Sequence, residues 1–164
     1  DLRRDKNIDE ISKKANQKLY MLRLLKRFGF NDDELLSIYK CYVRPVVEYA
    51  DVTWSSSITA AQKNILEHLQ KRACRTILGQ RYTSYAEAIQ ECGLESLADR
   101  RVNHCLRFAE GLANSERTND LLPPTRRESH ARNLRNASHY SQLRTRTSRF
   151  KNSPIPFFIN LLNK

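Results

Sequence analysis

The chain has 164 residues, 40% of them apolar and 29% charged, enough for one domain with a core that needs no disulfide staples. Mean hydropathy is negative, and no run approaches the roughly 20 apolar residues of a membrane span, which excludes a membrane-spanning helix. Basic residues outnumber acidic ones 29 to 18, net +11, a surplus that points toward a polyanionic partner. No apolar segment follows Asp1–Asp5, so no secretory leader is expected, and the absence of an initial Met reads as a piece of a longer chain.

The charge is uneven. Residues 1–114 carry 19 basic and 15 acidic residues, whereas 115–164 carry 10 and 3. Arg outnumbers Lys 19 to 10, and the planar guanidinium suits phosphate better than a point charge does. The four cysteines, Cys41, Cys74, Cys92 and Cys105, form no C-x-x-C pair. A zinc site from Cys92, His104 and Cys105 is the one combination on offer, but adjacent His and Cys rarely converge on one ion. Buried or idle thiols in a reducing, intracellular setting (nucleus and cytoplasm) are the preferred reading, and no cofactor is expected.

Helical periodicity dominates. Ile8, Ile11, Ala15, Leu19, Leu22, Leu25 and Phe28 recur at spacings of three and four, one amphipathic stripe that Gly29 ends. Asn31 with Glu34 forms a capping box for a second helix through Leu35, Ile38, Tyr39, Tyr42, Val43, Val46 and Val47. Pro45 lies inside it and should kink it. Residues 51–58 read as a break, with Asp51 closing the second helix. Thr59 caps a third helix whose stripe is Ile65, Leu66, Leu69, Ala73 and Ile77, ended by Gly79. Ser84 with Glu87 opens a short fourth helix that stops at Gly93. Ser96 caps a fifth through Leu97, Val102, Leu106, Phe108 and Leu112. No segment alternates with period two. The predicted fold is therefore all-α: a bundle of about five helices over residues 1–114, a basic and mostly irregular tail over 115–152, and a short apolar segment over 153–164 that docks on the bundle.

Catalytic patterns are missing. Tyr49-Ala50-Asp51-Val52 carries one carboxylate where two-metal chemistry needs at least two. Asp32, Asp33 and Glu34 read as dipole complements of a helix start rather than a cation site. With four Gly in the chain no phosphate loop is formed. The chain alone is not expected to be an enzyme.

The basic positions carry the functional reading. Lys71, Arg72 and Arg75 share the face of the third helix opposite its apolar stripe, available to phosphate or merely solvated. Arg100 and Arg101 either join them or pair with Asp99 and Glu95. In residues 125–151, Arg126, Arg127, Arg132, Arg135, Arg144, Arg146, Arg149 and Lys151 face Glu128 alone, so neighbouring carboxylates cannot neutralise them. So few apolar residues interrupt this stretch that it is expected to order against a partner. Tyr140 and Phe150 stand among the arginines as candidate base-stacking rings. Trp54 is the weaker candidate, since a lone Trp beside a bundle is more often a core anchor.

Several strings in order support a family resemblance: Leu22-Arg23-Leu24-Leu25-Lys26-Arg27-Phe28-Gly29, Ile38-Tyr39-Lys40-Cys41-Tyr42-Val43-Arg44-Pro45-Val46-Val47-Glu48-Tyr49-Ala50, Trp54-Ser55, Leu66-Glu67-His68-Leu69-Gln70-Lys71-Arg72-Ala73-Cys74-Arg75-Thr76-Ile77-Leu78-Gly79, Gly93-Leu94-Glu95-Ser96-Leu97-Ala98-Asp99-Arg100-Arg101, and the closing Arg144–Ser153, Ile155-Pro156-Phe157-Phe158 and Leu161-Leu162-Asn163. Together they resemble the region carboxy-terminal to the palm in reverse transcriptases of non-LTR (LINE-type) retrotransposons. The resemblance implies a helical thumb that grips a primer–template duplex or template RNA, with the catalytic carboxylates upstream. RNA, DNA or an RNA–DNA hybrid, together with the polymerase palm and fingers of a parent chain, would then be the partners, and no membrane. The competing reading is a helical protein-interaction module whose basic tail binds an acidic partner. Asn160 and Pro154 depart from the pattern common at such termini.

Overall fold

The computed structural model describes residues 4–129 and 135–164. Among them the fold is all-α, with an isolated antiparallel bridge between Thr125 and Tyr140 the sole β-type pairing. No helix of the described residues is long and apolar enough to cross a membrane. The chain forms two compact units, one from Asp1–Ala50 with Ile58–Arg100 and the other from Asp51–Ser57 with Arg101–Lys164.

In the first unit, α1 (Arg4–Arg27) lies along α5 (Ala60–Leu78). Ile8, Ile11, Ala15, Leu19 and Leu22 are buried on α1, facing a core that takes Leu66, Leu69, Ala73 and Ile77 from α5. Each fully buried Leu or Ile contributes about 1.5–3 kcal/mol relative to exposure. The expected stripes continue too far at their edges. Phe28 is 77% exposed and Ile65 44%, because Phe28 lies beyond the last turn of α1 and Ile65 precedes the buried Leu66. The buried α5 positions absent from the predicted stripe are Gln70, Cys74 and Leu78, and Gln70 is the polar one. The Tyr39 hydroxyl donates to Gln70 Oε1 at 2.7 Å, and Gln70 Nε2 donates to the Glu95 carbonyl at 2.8 Å. A satisfied amide is tolerated in the core, whereas an unsatisfied one costs about 1–3 kcal/mol.

The second predicted helix is three pieces. Asn31 and Glu34 form the capping box of α2 (Asp32–Ile38). A π-turn follows at Tyr39–Val43, then α3 (Arg44–Glu48). Pro45 cannot donate, and the helix accommodates it by widening one turn, with the Arg44 N–H reaching back to the Tyr39 carbonyl. The predicted kink is thus a π-bulge ahead of Pro45. Beyond it, Thr59 and Gln62 cap α5 reciprocally, and Gly79 follows at φ +57°. Ser84 caps α6 (Tyr85–Glu91), and Ser96 caps α7 (Leu97–Asn114) through the Asp99 N–H at 3.0 Å.

The second unit corrects the reading of residues 51–58. Ala50 takes φ +51°, which ends α3 and lets Asp51 open a new helix, α4 (Asp51–Trp54), followed by a 3-10 turn at Ser55–Ser57. Asp51 is buried beside His104 Nδ1 at 2.7 Å, and Ser55 Oγ lies 3.1 Å from Cys105 Sγ. The buried seam of α7 runs through Cys105, Ala109 and Leu112, not the predicted Val102 and Phe108, which are exposed. Small residues at 105 and 109 allow Leu122 and the closing helix α10 (Pro154–Leu162) to pack close, with Phe158 and Leu161 in the same cluster. The Phe108 and Phe158 ring centroids are 5.6 Å apart, an edge-type contact on the rim of this core.

The thiols divide by burial. Cys74, Cys92 and Cys105 are buried and Cys41 is exposed. Burial pushes Cys74 up to about 12 and raises Cys92 and Cys105 as well. A chromogenic disulfide reagent at neutral pH should therefore label Cys41 rapidly in the native chain and the other three only after denaturation. Fast labelling of a second thiol in the native chain would contradict this packing.

Candidate nucleic-acid interface

The tail segment ahead of α10 has more order than its composition suggests. From the short helix α8 (Arg126–Ser129), the Arg126 N–H donates to the His139 carbonyl at 2.8 Å and the Arg127 N–H to the Ala137 carbonyl at 2.9 Å. Asn163 clamps the Tyr140 backbone from α10, its Oδ1 accepting from the Tyr140 N–H at 2.8 Å and its Nδ2 donating to the Tyr140 carbonyl at 3.0 Å. Thr147 caps α9 (Ser148–Lys151). The Asn152 carbonyl accepts from Ser56 Oγ at 3.0 Å. The segment is thus fastened at both ends by side-chain amide and hydroxyl groups that no apolar pattern would reveal.

On this frame Arg144, Arg146, Arg149 and Lys151 are all exposed, and among the described residues none of them pairs with a carboxylate. Phe150, 42% exposed, sits between two of the cations. Arg127 and Arg135 are exposed, and Arg126 is half-buried. Glu128, the acidic residue of this stretch, is engaged instead with Thr125, whose backbone N–H and hydroxyl donate to it at 2.7 and 2.9 Å. Those bonds hold its carboxyl below the usual range. Arg132 lies outside the described residues.

Tyr140 belongs elsewhere. It is half-buried and packs on the Cys105–Phe158 cluster, so its ring is a core contact and not a free stacking face. Trp54 is buried as well, in keeping with the core-anchor reading.

In the first unit the expected phosphate contacts separate. Lys71 is half-buried, Arg72 donates through Nη1 to Asn16 Oδ1, and Arg75 is exposed with its guanidinium carbon 5.0 Å from the Tyr82 ring centroid. Arg100 is committed to structure. It grips Glu48 with both Nε and Nη2, the latter at 3.0 Å from Oε2, and this bond raises Arg100 above the usual arginine range against the desolvation it suffers. The pairing is with Glu48 rather than with Asp99 or Glu95. Arg101 is 4% exposed, so no phosphate can reach it from solvent. Arg100→Ala, which leaves the mostly buried Glu48 carboxylate with only the longer 3.8 Å ion pair to Arg44 among the described residues, should lower stability by about 1–3 kcal/mol without changing nucleic-acid affinity. Chemical denaturation beside a binding titration checks both halves. A lost affinity at unchanged stability would return Arg100 to the interface.

Of the acidic run at α2, Asp32 is committed to ion pairs and Glu34 to the capping box. Asp32 Oδ1 accepts from Lys26 Nζ at 2.6 Å, and Asp32 also pairs with Arg81. The Lys26 bond first, and Arg81 after it, hold the Asp32 carboxyl below its usual range. Among the described residues no group of three His, Cys, Asp or Glu side chains gathers as a metal site.

A cleft of about 180 Å³ opens next to the basic segment, lined by Gln142, Leu143, Thr145 and Lys151 on one side and Pro156, Ile159 and Asn160 of α10 on the other. Sequence reasoning missed it, because no spacing rule brings residue 142 beside residue 160.

The family whose model matches the chain is "Alkylated DNA repair protein alkB homolog 8, N-terminal", over residues 4–40, which span α1, α2 and the first two residues of the π-turn. No curated protein and no solved structure matches. The match overturns the resemblance to a non-LTR reverse transcriptase, and with it the thumb function.

Proposed function

We propose that this chain is a non-catalytic helical module that holds nucleic acid by its phosphates through the basic face of its second unit. The observation that carries this reading is the segment 144–151: four exposed cations without a carboxylate partner among the described residues, presented on a backbone fastened at both ends. Phosphate neutralisation by Lys and Arg releases counterions and gives sequence-independent affinity. Arg127 and Arg135, exposed in the same unit, extend the same chemistry. RNA, DNA or a hybrid are the ligands this chemistry accepts, in an intracellular setting. The name of the family matching residues 4–40 also concerns a nucleic-acid substrate, although that stretch does not include the basic face.

Fluorescence anisotropy with labelled single-stranded RNA, duplex DNA and an RNA–DNA hybrid, each challenged with polyglutamate, tests the proposal. The expected result is saturable binding to nucleic acid that polyglutamate displaces only in large excess. Binding of polyglutamate in preference to every nucleic acid would overturn it in favour of an acidic protein partner.

A further inference from the structure

The cleft beside the basic segment has a composition of its own. Its accessible lining is mainly polar, and the apolar part comes chiefly from the half-buried Leu143, since Pro156 and Ile159 are themselves buried. Its rim carries Gln142, Asn160 and Lys151, all exposed. Among the described residues the side-chain amides of Gln142 and Asn160 make no hydrogen bond, so each offers a donor pair and an acceptor to a ligand. At about 180 Å³ the cleft is smaller than the roughly 300–1,000 Å³ of pockets that hold drug-sized ligands, and it suits one ring system.

Resting on the nucleic-acid reading above, we propose that this cleft receives a single unstacked nucleobase of a single-stranded nucleic acid, with Lys151 at the flanking phosphate. A base needs donors and acceptors for its edge and an apolar contact for its face; Gln142 and Asn160 supply the first and the half-buried Leu143 the second. Phe150, adjacent in sequence to Lys151 and 42% exposed, offers a stacking face for a neighbouring base. A paired duplex presents no free base, so this site favours single strands, whereas the surrounding arginines do not discriminate.

The test uses the full 164-residue chain and four labelled probes: a short oligouridylate, an RNA backbone of equal length with abasic sites, and the oligothymidylate and abasic DNA counterparts. The base-bearing strand is expected to bind about tenfold more tightly than its abasic partner, the equivalent of one well-made base contact. A variant carrying Gln142→Ala and Asn160→Ala, both at exposed positions, should cut that ratio severalfold, leaving the part that Phe150 stacking supplies, while binding of the abasic strands stays unchanged. A base-dependent ratio in either series that the double variant lowers supports the site, and one that the double variant leaves intact overturns it in favour of Phe150 stacking alone. Equal binding of base-bearing and abasic strands in both series overturns it and leaves the phosphate grip standing. Absence of binding to all four probes at low salt overturns both the cleft and the phosphate grip.

Discussion

Replacing Arg144, Arg146, Arg149 and Lys151 together with Ala is expected to abolish most binding while leaving the fold intact. Each phosphate contact to a single strand contributes about 0.7 to the slope of log K against log salt, so four lost contacts remove close to 3 from it. Near 0.1 M salt this corresponds to roughly two to three orders of magnitude in affinity. The four side chains are exposed and have no ion-pair partner among the described residues, so their removal takes no structural bond with it, and surface changes of this kind usually stay within about 0.5 kcal/mol. Anisotropy across a salt series, with a urea midpoint measured on the same preparation, checks both parts. A variant that keeps the parental salt slope would show that the grip lies elsewhere, with Arg75, Arg127 and Arg135 next in line.

Phe158→Ala should have the largest effect on stability. The side chain is 2% exposed and shares a cluster with Cys105, Ala109, Leu112, Leu122 and Leu161. Removing a buried ring leaves a cavity and costs about 3–5 kcal/mol, a large fraction of the 5–15 kcal/mol typical of a folded domain. Its consequence for function runs through α10. Asn163 clamps the Tyr140 backbone from that helix, and Pro156 and Ile159 line the cleft. Loosening α10 therefore makes the ligand bear the ordering entropy of the basic segment. The variant should show a lower urea midpoint and weaker binding, yet an undiminished salt slope, because every cation is still present. A loss below about 1 kcal/mol would mean that α10 does not sit in this core.

Helix starts and stops were legible in the sequence, because capping is local chemistry. Asn31 with Glu34, Thr59 with Gln62, Ser84 and Ser96 each satisfy backbone donors within three residues of themselves. Buried faces were legible for the long helix α1 and less so for α7. There the seam uses Cys105 and Ala109, whose small side chains give a weaker periodic signal than the exposed Val102 and Phe108. The break at 51–58 hid a helical turn because Ala50 adopts a left-handed backbone that only tertiary contacts select. Of the candidate interface, the exposed tail cations were foreseen from charge alone. The partners that remove Arg100 from it, and the burial that removes Arg101 and Tyr140, are long-range facts. Glu48 lies 52 residues from Arg100, beyond any local pattern. A resemblance carried by the order and spacing of short strings shares this weakness, since it does not register which side chains the fold brings together.

The most direct test of the central claim is the salt dependence of the unmodified chain on single-stranded RNA. The phosphate grip predicts log K falling linearly with log salt, at a slope of about −3 or steeper if the four cations of segment 144–151 each neutralise one phosphate. A flat dependence would contradict it, because binding would then rest on contacts that release no counterions.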